Sequence, residues 1–222
     1  MELSPINLSL ITSGVATLIN LPIAVFIGWL ISKLSLKSKS IVETFVMLPL
    51  VLPPVVVGFA LLKFFGIHGF GGKLVSNIFS VDIAFTWIAA TIAAAVMSFP
   101  LMARSIISAM ESIDSRFEQV ARTLGAKPIQ VFFTITIPLA KRGIFAGIIV
   151  GFVRALGEFG ATIIFAGNID GKSQTIPLAI FTEMQLGHTS EAGKLAIISA
   201  VIAIISIFFY NWISNNHKKD KI

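Results

Sequence analysis

The fold is decided by the stretch Phe117-Glu118-Gln119-Val120-Ala121-Arg122-Thr123-Leu124-Gly125, which continues to Ile137-Pro138. This stretch is polar and patterned, whereas the segments before and after it are strongly apolar. Glu118, Ala121 and Gly125 follow an i, i+3, i+7 spacing, so they share one face of a helix. Because two of the three are small, another protein can approach that face closely. The pattern therefore predicts a short surface helix that docks against a partner.

The composition is that of an integral membrane protein. The chain has 222 residues, of which 55% are hydrophobic and 13% are charged, and its mean hydropathy is +0.91. Soluble domains carry about 25% charged residues, so a soluble domain is excluded. The net charge of +6 comes from basic residues between apolar segments and at the C-terminus. Topology control explains that distribution better than nucleic-acid binding does.

Cysteine and histidine give no sign of a metal centre. There are no cysteines, which excludes disulfides and thiolate-ligated metals. The three histidines, His68, His188 and His217, lie far apart in the sequence. The sequence therefore predicts no metal site within one chain.

Five apolar stretches are long enough to cross a bilayer, which takes about 20 helical residues. They cover residues 8–31, 41–65, 83–107, 138–165 and 195–213. A shorter run, 176–186, carries Glu183 and Gln185, which favours an external interfacial or re-entrant helix. The prediction is an all-α, polytopic membrane protein with about five transmembrane helices in a single domain spanning residues 8–213.

Basic residues predict the orientation. Lysines and arginines follow the first span, separate the third from the fourth, and close the chain; the positive-inside rule places all three groups in the cytosol. With five spans the N-terminus then lies outside, and residues 214–222 form a basic cytoplasmic tail. The three groups are Lys33, Lys37 and Lys39; Arg116, Arg122, Lys127, Lys141 and Arg142; and Lys218, Lys219 and Lys221.

Prolines interrupt the second predicted span. Pro49, Pro53 and Pro54 each lack a backbone donor, which forces a kink or a break in the helix. Two explanations stay open: a bend that improves packing, or a broken helix that exposes backbone dipoles to a transport path. Pro53 and Pro54 are therefore candidate pore residues.

Arg154 and Glu158 are placed at i and i+4 within the fourth predicted span. A charged residue in a transmembrane helix costs about 2.5–3.5 kcal/mol on insertion scales, so each side chain needs a partner or an aqueous cavity. The pair is either an ion pair that locks the helix or the gate of an anion pathway, with Phe159 beside it. Earlier in the same span, Gly143, Gly147 and Gly151 form a ladder that permits close helix packing.

The cytosolic connection 111–137 predicts two short helices. The first runs from about residue 116 to 124 and ends at Gly125, a residue suited to a C-terminal cap. Pro128 begins the second helix, and Thr136 caps the fourth span. A rigid helix held by a neighbouring protein would move the spans attached to both its ends.

Four motifs together resemble the molybdate permeases of type I ABC importers. The first is similar to the EAA motif found in any importer permease of this kind, whereas the third and fourth favour molybdate; sulfate permeases share much of the pattern. The motifs are Glu118-Gln119-Val120-Ala121-Arg122-Thr123-Leu124-Gly125-Ala126; Leu48-Pro49 through Val57-Gly58; Arg154-Ala155-Leu156-Gly157-Glu158-Phe159-Gly160-Ala161-Thr162; and Gln174-Thr175-Ile176-Pro177-Leu178-Ala179.

The resemblance implies an importer that moves molybdate across the cell membrane. It implies a homodimer with the pore at its interface, two cytosolic ATP-binding subunits that hold ATP-Mg, and an extracytoplasmic molybdate-binding protein. This chain would then have no catalytic residue and no cofactor of its own. The implied coupling loop is residues 116–138, with ATPase-coupling residues Glu118, Ala121, Arg122, Gly125, Ala126 and Pro128.

Three alternatives differ in cargo or in class. A sulfate/thiosulfate or tungstate permease would carry most of the same motifs. An ion-coupled secondary transporter would show repeated halves with paired broken helices, and prolines cluster only in the second span. A membrane-embedded enzyme would need a nucleophile or metal cluster within the spans, and Arg154 with Glu158 supplies neither.

Overall fold

The computed structural model describes residues 4–215, with side chains as far as residue 211, and all the regular structure in that range is helical. Eleven α-helices and one π-helical segment follow one another along the described chain. They are α1 Pro5–Ile31, α2 Leu36–Val51, α3 Pro54–Phe65, α4 Phe70–Phe79, α5 Trp87–Glu111, α6 Ser115–Thr123, α7 Pro128–Val131, the π segment Phe132–Thr136, α8 Ile137–Leu156, α9 Gly160–Phe165, α10 Ile176–Gln185 and α11 Thr189–Asn215.

Helix α5 is the centre of the fold, since it packs against α1, α2, α8 and α9. Its first turn is capped by Thr86, whose hydroxyl accepts hydrogen bonds from the backbone N–H groups of Ile88 and Ala89. Small buried side chains such as Ala90 and Ala94 let neighbouring helices approach closely. The result is a bundle around one buried span.

The glycine ladder of α8 permits close helix packing, as predicted, and the helix that it faces is α5. A Cβ atom on Gly143 would lie 2.0 Å from the Cβ of Ala109, and one on Gly147 would lie 2.8 Å from Cγ1 of Ile106. Close packing of α8 on α5 therefore depends on the absence of side chains here.

Polar side chains of α1 tie it to the rest of the bundle. The Asn20 amide donates hydrogen bonds to the carbonyl of Ala95 at 2.8 Å and to the hydroxyl of Ser98 at 3.2 Å. The backbone N–H of Ile176 donates to the hydroxyl of Ser9 at 2.7 Å, which fixes the start of α10 against α1.

Four helices of the described chain are long and apolar enough to cross a membrane: Pro5–Ile31, Trp87–Glu111, Pro128–Leu156 and Thr189–Asn211. The second predicted span is divided into α2 and α3, which meet at an angle of 102°. If this bent pair counts as one span, the total is the predicted five. The break at Pro53 agrees with the expectation from its missing backbone donor.

The fourth predicted span, 138–165, was wrong at both ends. Its helix begins at Pro128, continues through the π segment and stops at Leu156, and α9 is a separate short helix. The backbone leaves the helical conformation at Phe159, whose φ and ψ are −131° and −54°. After the break, the Glu158 side chain accepts the backbone N–H of Ala161 and so caps the start of α9.

The sequence predicted two short helices in the connection 111–137. The first helix is confirmed, whereas the second is not a separate short helix. Helix α6 ends just before Gly125, whose φ of +88° is left-handed and suits glycine. Pro128 does begin a helix, but that helix runs without interruption into the membrane span. Thr136 does not cap the span, because its backbone is helical and its hydroxyl donates to Glu118 instead.

Candidate functional site

Helix α6 presents an apolar face on the molecular surface. Asp114 caps its first turn, since its carboxylate accepts the backbone N–H of Arg116 at 2.9 Å. Phe117, Val120 and Leu124 are 57%, 59% and 83% exposed. Exposed apolar faces of this kind mark surfaces that bind another protein or a membrane.

The end of α6 is fixed by backbone hydrogen bonds. The N–H of Ala126 donates to the carbonyl of Ala121 and that of Gly125 to the carbonyl of Arg122, both at 3.0 Å. This arrangement satisfies carbonyls that a helix end otherwise leaves free. Arg122, Gly125 and Pro128 are exposed, whereas Ala121 and Ala126 are half-buried.

Glu118 points inward, away from this exposed face, and is 9% exposed. One carboxylate oxygen accepts a hydrogen bond from the Thr136 hydroxyl at 2.9 Å, and the other forms an ion pair with the ammonium group of Lys33. Burial raises the pKa of Glu118, but the hydrogen bonds from Lys33 and Thr136, with the charges of Lys33 and Arg122, outweigh it and lower the pKa below its ordinary value. Glu118 is therefore ionised and held by its own chain.

Sequence reasoning missed Lys33 and the contact of Thr136 with Glu118. Lys33 was interpreted only as a topology signal, and it lies 85 positions before Glu118. No local pattern in the sequence could have indicated the pair, because the pair forms only when α1 and α6 are brought together by the fold.

The two helix breaks lie side by side. A Cβ atom on Gly160 would lie 2.7 Å from the Cβ of Pro54, so the start of α9 contacts the start of α3. Pro53, directly before α3, is exposed. The structure thus brings the predicted pore residue Pro54 next to Gly160, which directly follows the predicted pore residue Phe159.

Glu158 bridges α8 and α9 across Gly157. One of its oxygens accepts from Nη1 of Arg154 at 2.7 Å, and the other accepts the backbone N–H of Ala161 at 3.0 Å. The Glu158 side chain is 2% exposed and that of Arg154 is 25% exposed. This geometry gives the pair a structural role at the break; its role as an anion gate stays a prediction.

The surroundings of the pair are apolar. Arg154 lines a cavity of about 390 Å³ between α5, α8 and α11, whose other walls include Leu101 and Ile207. Phe159 faces the other side of the break, and its ring lies 5.4 Å from that of Phe181 in α10. Within residues 4–215 no three His, Cys, Asp or Glu side chains come together in a way that could hold a metal ion.

A bundle of apolar spans that carries a short amphipathic helix on its surface is typical of the permease subunits of ABC importers. Residues 20–219 match the family described as binding-protein-dependent transport system inner membrane component, and the chain belongs to that family.

Curated relatives agree with this membership, and a solved structure shares the fold. The chain is 43% identical, over 99% of its length and 96% of the relative's, to the molybdenum transport system permease protein ModB of Haemophilus influenzae. It is 47% identical, over 96% of its length and 93% of the relative's, to the protein of the same name from Escherichia coli K12. The fold is similar to that of a bacterial ABC transporter involved in the import of the acidic polysaccharide alginate, with a TM-score of 0.74, 19% identity, and coverage of 96% of this chain and 78% of the other.

Proposed function

We propose that this chain is the permease subunit of an ATP-driven importer that moves molybdate across the cell membrane. The observation that carries the proposal is the identity of 43% and 47% to molybdenum transport system permease proteins over nearly the whole of both chains. The helix breaks support it, since broken helices that line a cavity are how transporters bring backbone groups into a path. In the proposed organisation, residues 8–213 form a single membrane domain with the coupling loop at 116–138.

Energy comes from a separate cytosolic ATP-binding subunit, which docks on the exposed face of α6. Arg122, Gly125 and Pro128 lie on the outer surface of the loop, with Ala121 and Ala126 half-buried behind them. The partner binds ATP-Mg and hydrolyses it, whereas this chain catalyses no reaction. Movement of the docked subunit shifts α6 and thereby the spans attached to the loop.

The transport path lies between two copies of the chain. The paired breaks, at Pro53 and Pro54 and at Gly157 to Gly160, supply flexible points beside that path. Arg154 attracts the anion and Glu158 keeps the attraction weak enough for release, since a conduit must let its cargo leave. An extracytoplasmic binding protein delivers molybdate.

The N-terminus lies outside and the C-terminus in the cytoplasm. This orientation puts α6 and the basic groups that follow α1 on the cytosolic side. The basic tail 214–222 belongs to the same side; beyond residue 215 it falls outside the described residues.

Uptake of labelled molybdate tests the proposal in cells that lack the chain and in cells complemented with it. Uptake that returns on complementation and resists excess sulfate supports a molybdate importer, and competition by tungstate measures how finely it discriminates. Restoration of sulfate uptake alone would assign the chain to a sulfate importer. Restoration of neither anion would contradict the proposal.

The ATP-binding partner is tested separately. We expect an ATP-binding subunit from the same cells to copurify with the chain from detergent-solubilised membranes. Loss of copurification on changing Leu124, 83% exposed, to aspartate would place the contact on α6. Undiminished copurification would place it elsewhere.

A further inference from the structure

Three segments that lie far apart in the sequence meet at the inner, buried side of α6. They are the end of α1, the inner face of α6 and the π segment that opens the third long span. Lys33 lies two residues after the end of α1, in a turn held by the hydrogen bond from its own N–H to the carbonyl of Leu30 at 3.0 Å. Its side chain reaches the carboxylate of Glu118 in α6.

The π segment completes this junction. Thr136, 2% exposed, donates its hydroxyl to the second oxygen of Glu118. The ring of Phe132 at the other end of the segment packs edge-on against Trp29 of α1, with 5.5 Å between the ring centroids. Short π-helical turns within α-helices are frequent at functional sites. Glu118 is therefore linked to α1 and to the π segment, which also contact each other directly.

Both oxygens of Glu118 are occupied by partners in its own chain. The carboxylate is also buried and points away from the exposed face of α6, so a subunit docked on that face lies on the opposite side of the helix. The exposed face of α6 offers other groups for docking. The contacts of Glu118 therefore indicate a role inside the permease rather than at its interface with another protein.

We propose that Lys33 is a positioning residue that makes the first span move with the docking helix. The ion pair with Glu118, together with the Thr136 hydrogen bond, ties α1, α6 and the π segment into one unit. Without this tie, force applied to α6 reaches α1 only indirectly, because the sequence joins α6 to α5 and α7. This inference rests on the proposed function, since it concerns how the movement of a docked ATPase reaches the spans.

The reconstituted importer separates docking from coupling. The full complex of this chain, its ATP-binding subunit and its binding protein is placed in liposomes with labelled molybdate. Two quantities are measured: the yield of ATP-binding subunit that copurifies with the chain, and the molybdate imported per ATP hydrolysed. Lys33→Met should leave copurification unchanged and lower the import ratio about fivefold or more, the lower end of usual coupling strengths between sites.

A matched control is available in the same cytosolic region. Lys39 forms an ion pair with Glu111, which joins α2 to the end of α5 and does not involve α6. Lys39→Met should keep both the import ratio and the copurification of wild type. Exchange of the charges, Lys33→Glu with Glu118→Lys, should recover import that Lys33→Glu alone loses.

Each result of these measurements bears either on the inference or on the proposed function. An unchanged import ratio in Lys33→Met would overturn the inference. Loss of copurification in that variant would also overturn it, because Lys33 would then serve docking. If Lys33→Met does not accumulate in the membrane, Glu118→Gln, which removes the charge that Lys33 pairs with, decides: a reduced ratio supports the tie and a normal ratio overturns it. Wild-type complex that imports no molybdate would instead refute the proposed function on which the inference rests.

Discussion

A Cβ atom on Gly58 would lie 2.6 Å from the carbonyl oxygen of Ala161 and 2.9 Å from its Cα, so α3 and α9 pack backbone to backbone at this point. The contact joins the helix after the break in the second span to the helix after the break at Gly157. Neither helix crosses the membrane alone, because they have 12 and 6 residues. The positions of α3 and α9 therefore depend on each other.

Gly58→Ala should therefore destabilise the protein and reduce uptake. The added methyl meets backbone atoms, which cannot rotate away, and overpacking of this kind costs about 1–3 kcal/mol. The measurement is the thermal unfolding midpoint of the detergent-solubilised protein, together with molybdate uptake in complemented cells. Gly14→Ala is the control, since a Cβ there meets nothing within 4 Å. Equal midpoints for the two variants would show that α3 and α9 separate without cost.

Gly125 supports a second prediction, about the end of the docking helix. Its φ of +88° costs ordinary L-residues about 1–2 kcal/mol, whereas asparagine adopts this region more readily. A Cβ here meets nothing within 4 Å, so the effect is purely conformational. Gly125→Val should weaken copurification of the ATP-binding subunit and uptake, and Gly125→Asn should retain most of both. If valine and asparagine behave alike, the left-handed turn is not what the docking surface needs.

The ion pair and hydrogen bond of Glu118 should make the stability of the protein depend on pH in the acid range. Its pKa in the folded protein lies below the ordinary value of 4.5, so its contribution to stability is complete above that value and is lost as pH falls through the lower, folded value. The stability difference between wild type and Glu118→Gln should therefore be constant from about pH 7 to 5 and shrink below about 4.5.

Thermal unfolding midpoints across this pH range provide the measurement. Thr136→Val is the informative companion, because it removes one of the hydrogen bonds that lower the pKa. In that variant the loss of stability on acidification should be smaller and should end at a higher pH than in wild type. A difference between wild type and Glu118→Gln that grows on acidification would mean that Glu118 is not held in its ionised form.

The features that could be predicted from the sequence are those that depend on short local patterns. The apolar stretches, the break at Pro53 and the helix end at Gly125 each depend on a few adjacent residues and their backbone preferences. The short helix α6 was likewise predicted from one segment, but the face assigned to it was wrong for Glu118, which points inward while Phe117, Val120 and Leu124 are exposed.

The features that could not be predicted from the sequence depend on contacts between residues far apart in the chain. The partner of Glu118 is Lys33, and the direction in which Glu118 points depends on how α1, α6 and the π segment pack. The stop at Leu156 was missed for a similar reason. Nothing in an apolar, glycine-containing stretch distinguishes a helix that continues from one in which Glu158 captures the backbone N–H of Ala161.

The pair of Arg154 and Glu158 supports the last prediction. Arg154→Met leaves the Glu158 carboxylate buried without its cation, and removing one partner of a buried pair costs about 3–5 kcal/mol. The double variant Arg154→Met with Glu158→Gln removes the charge as well and keeps an oxygen that accepts the N–H of Ala161. We therefore expect a large drop in the thermal unfolding midpoint for the single variant and substantial recovery in the double variant.

Uptake measured on the same two variants separates the two interpretations of the pair. If the double variant recovers both stability and molybdate uptake, the pair serves to lock the break between α8 and α9. If it recovers stability without uptake, the positive charge of Arg154 is needed for the passage of the anion. A single variant as stable as wild type would contradict both interpretations, because each requires that Glu158, 2% exposed, depends on its cation.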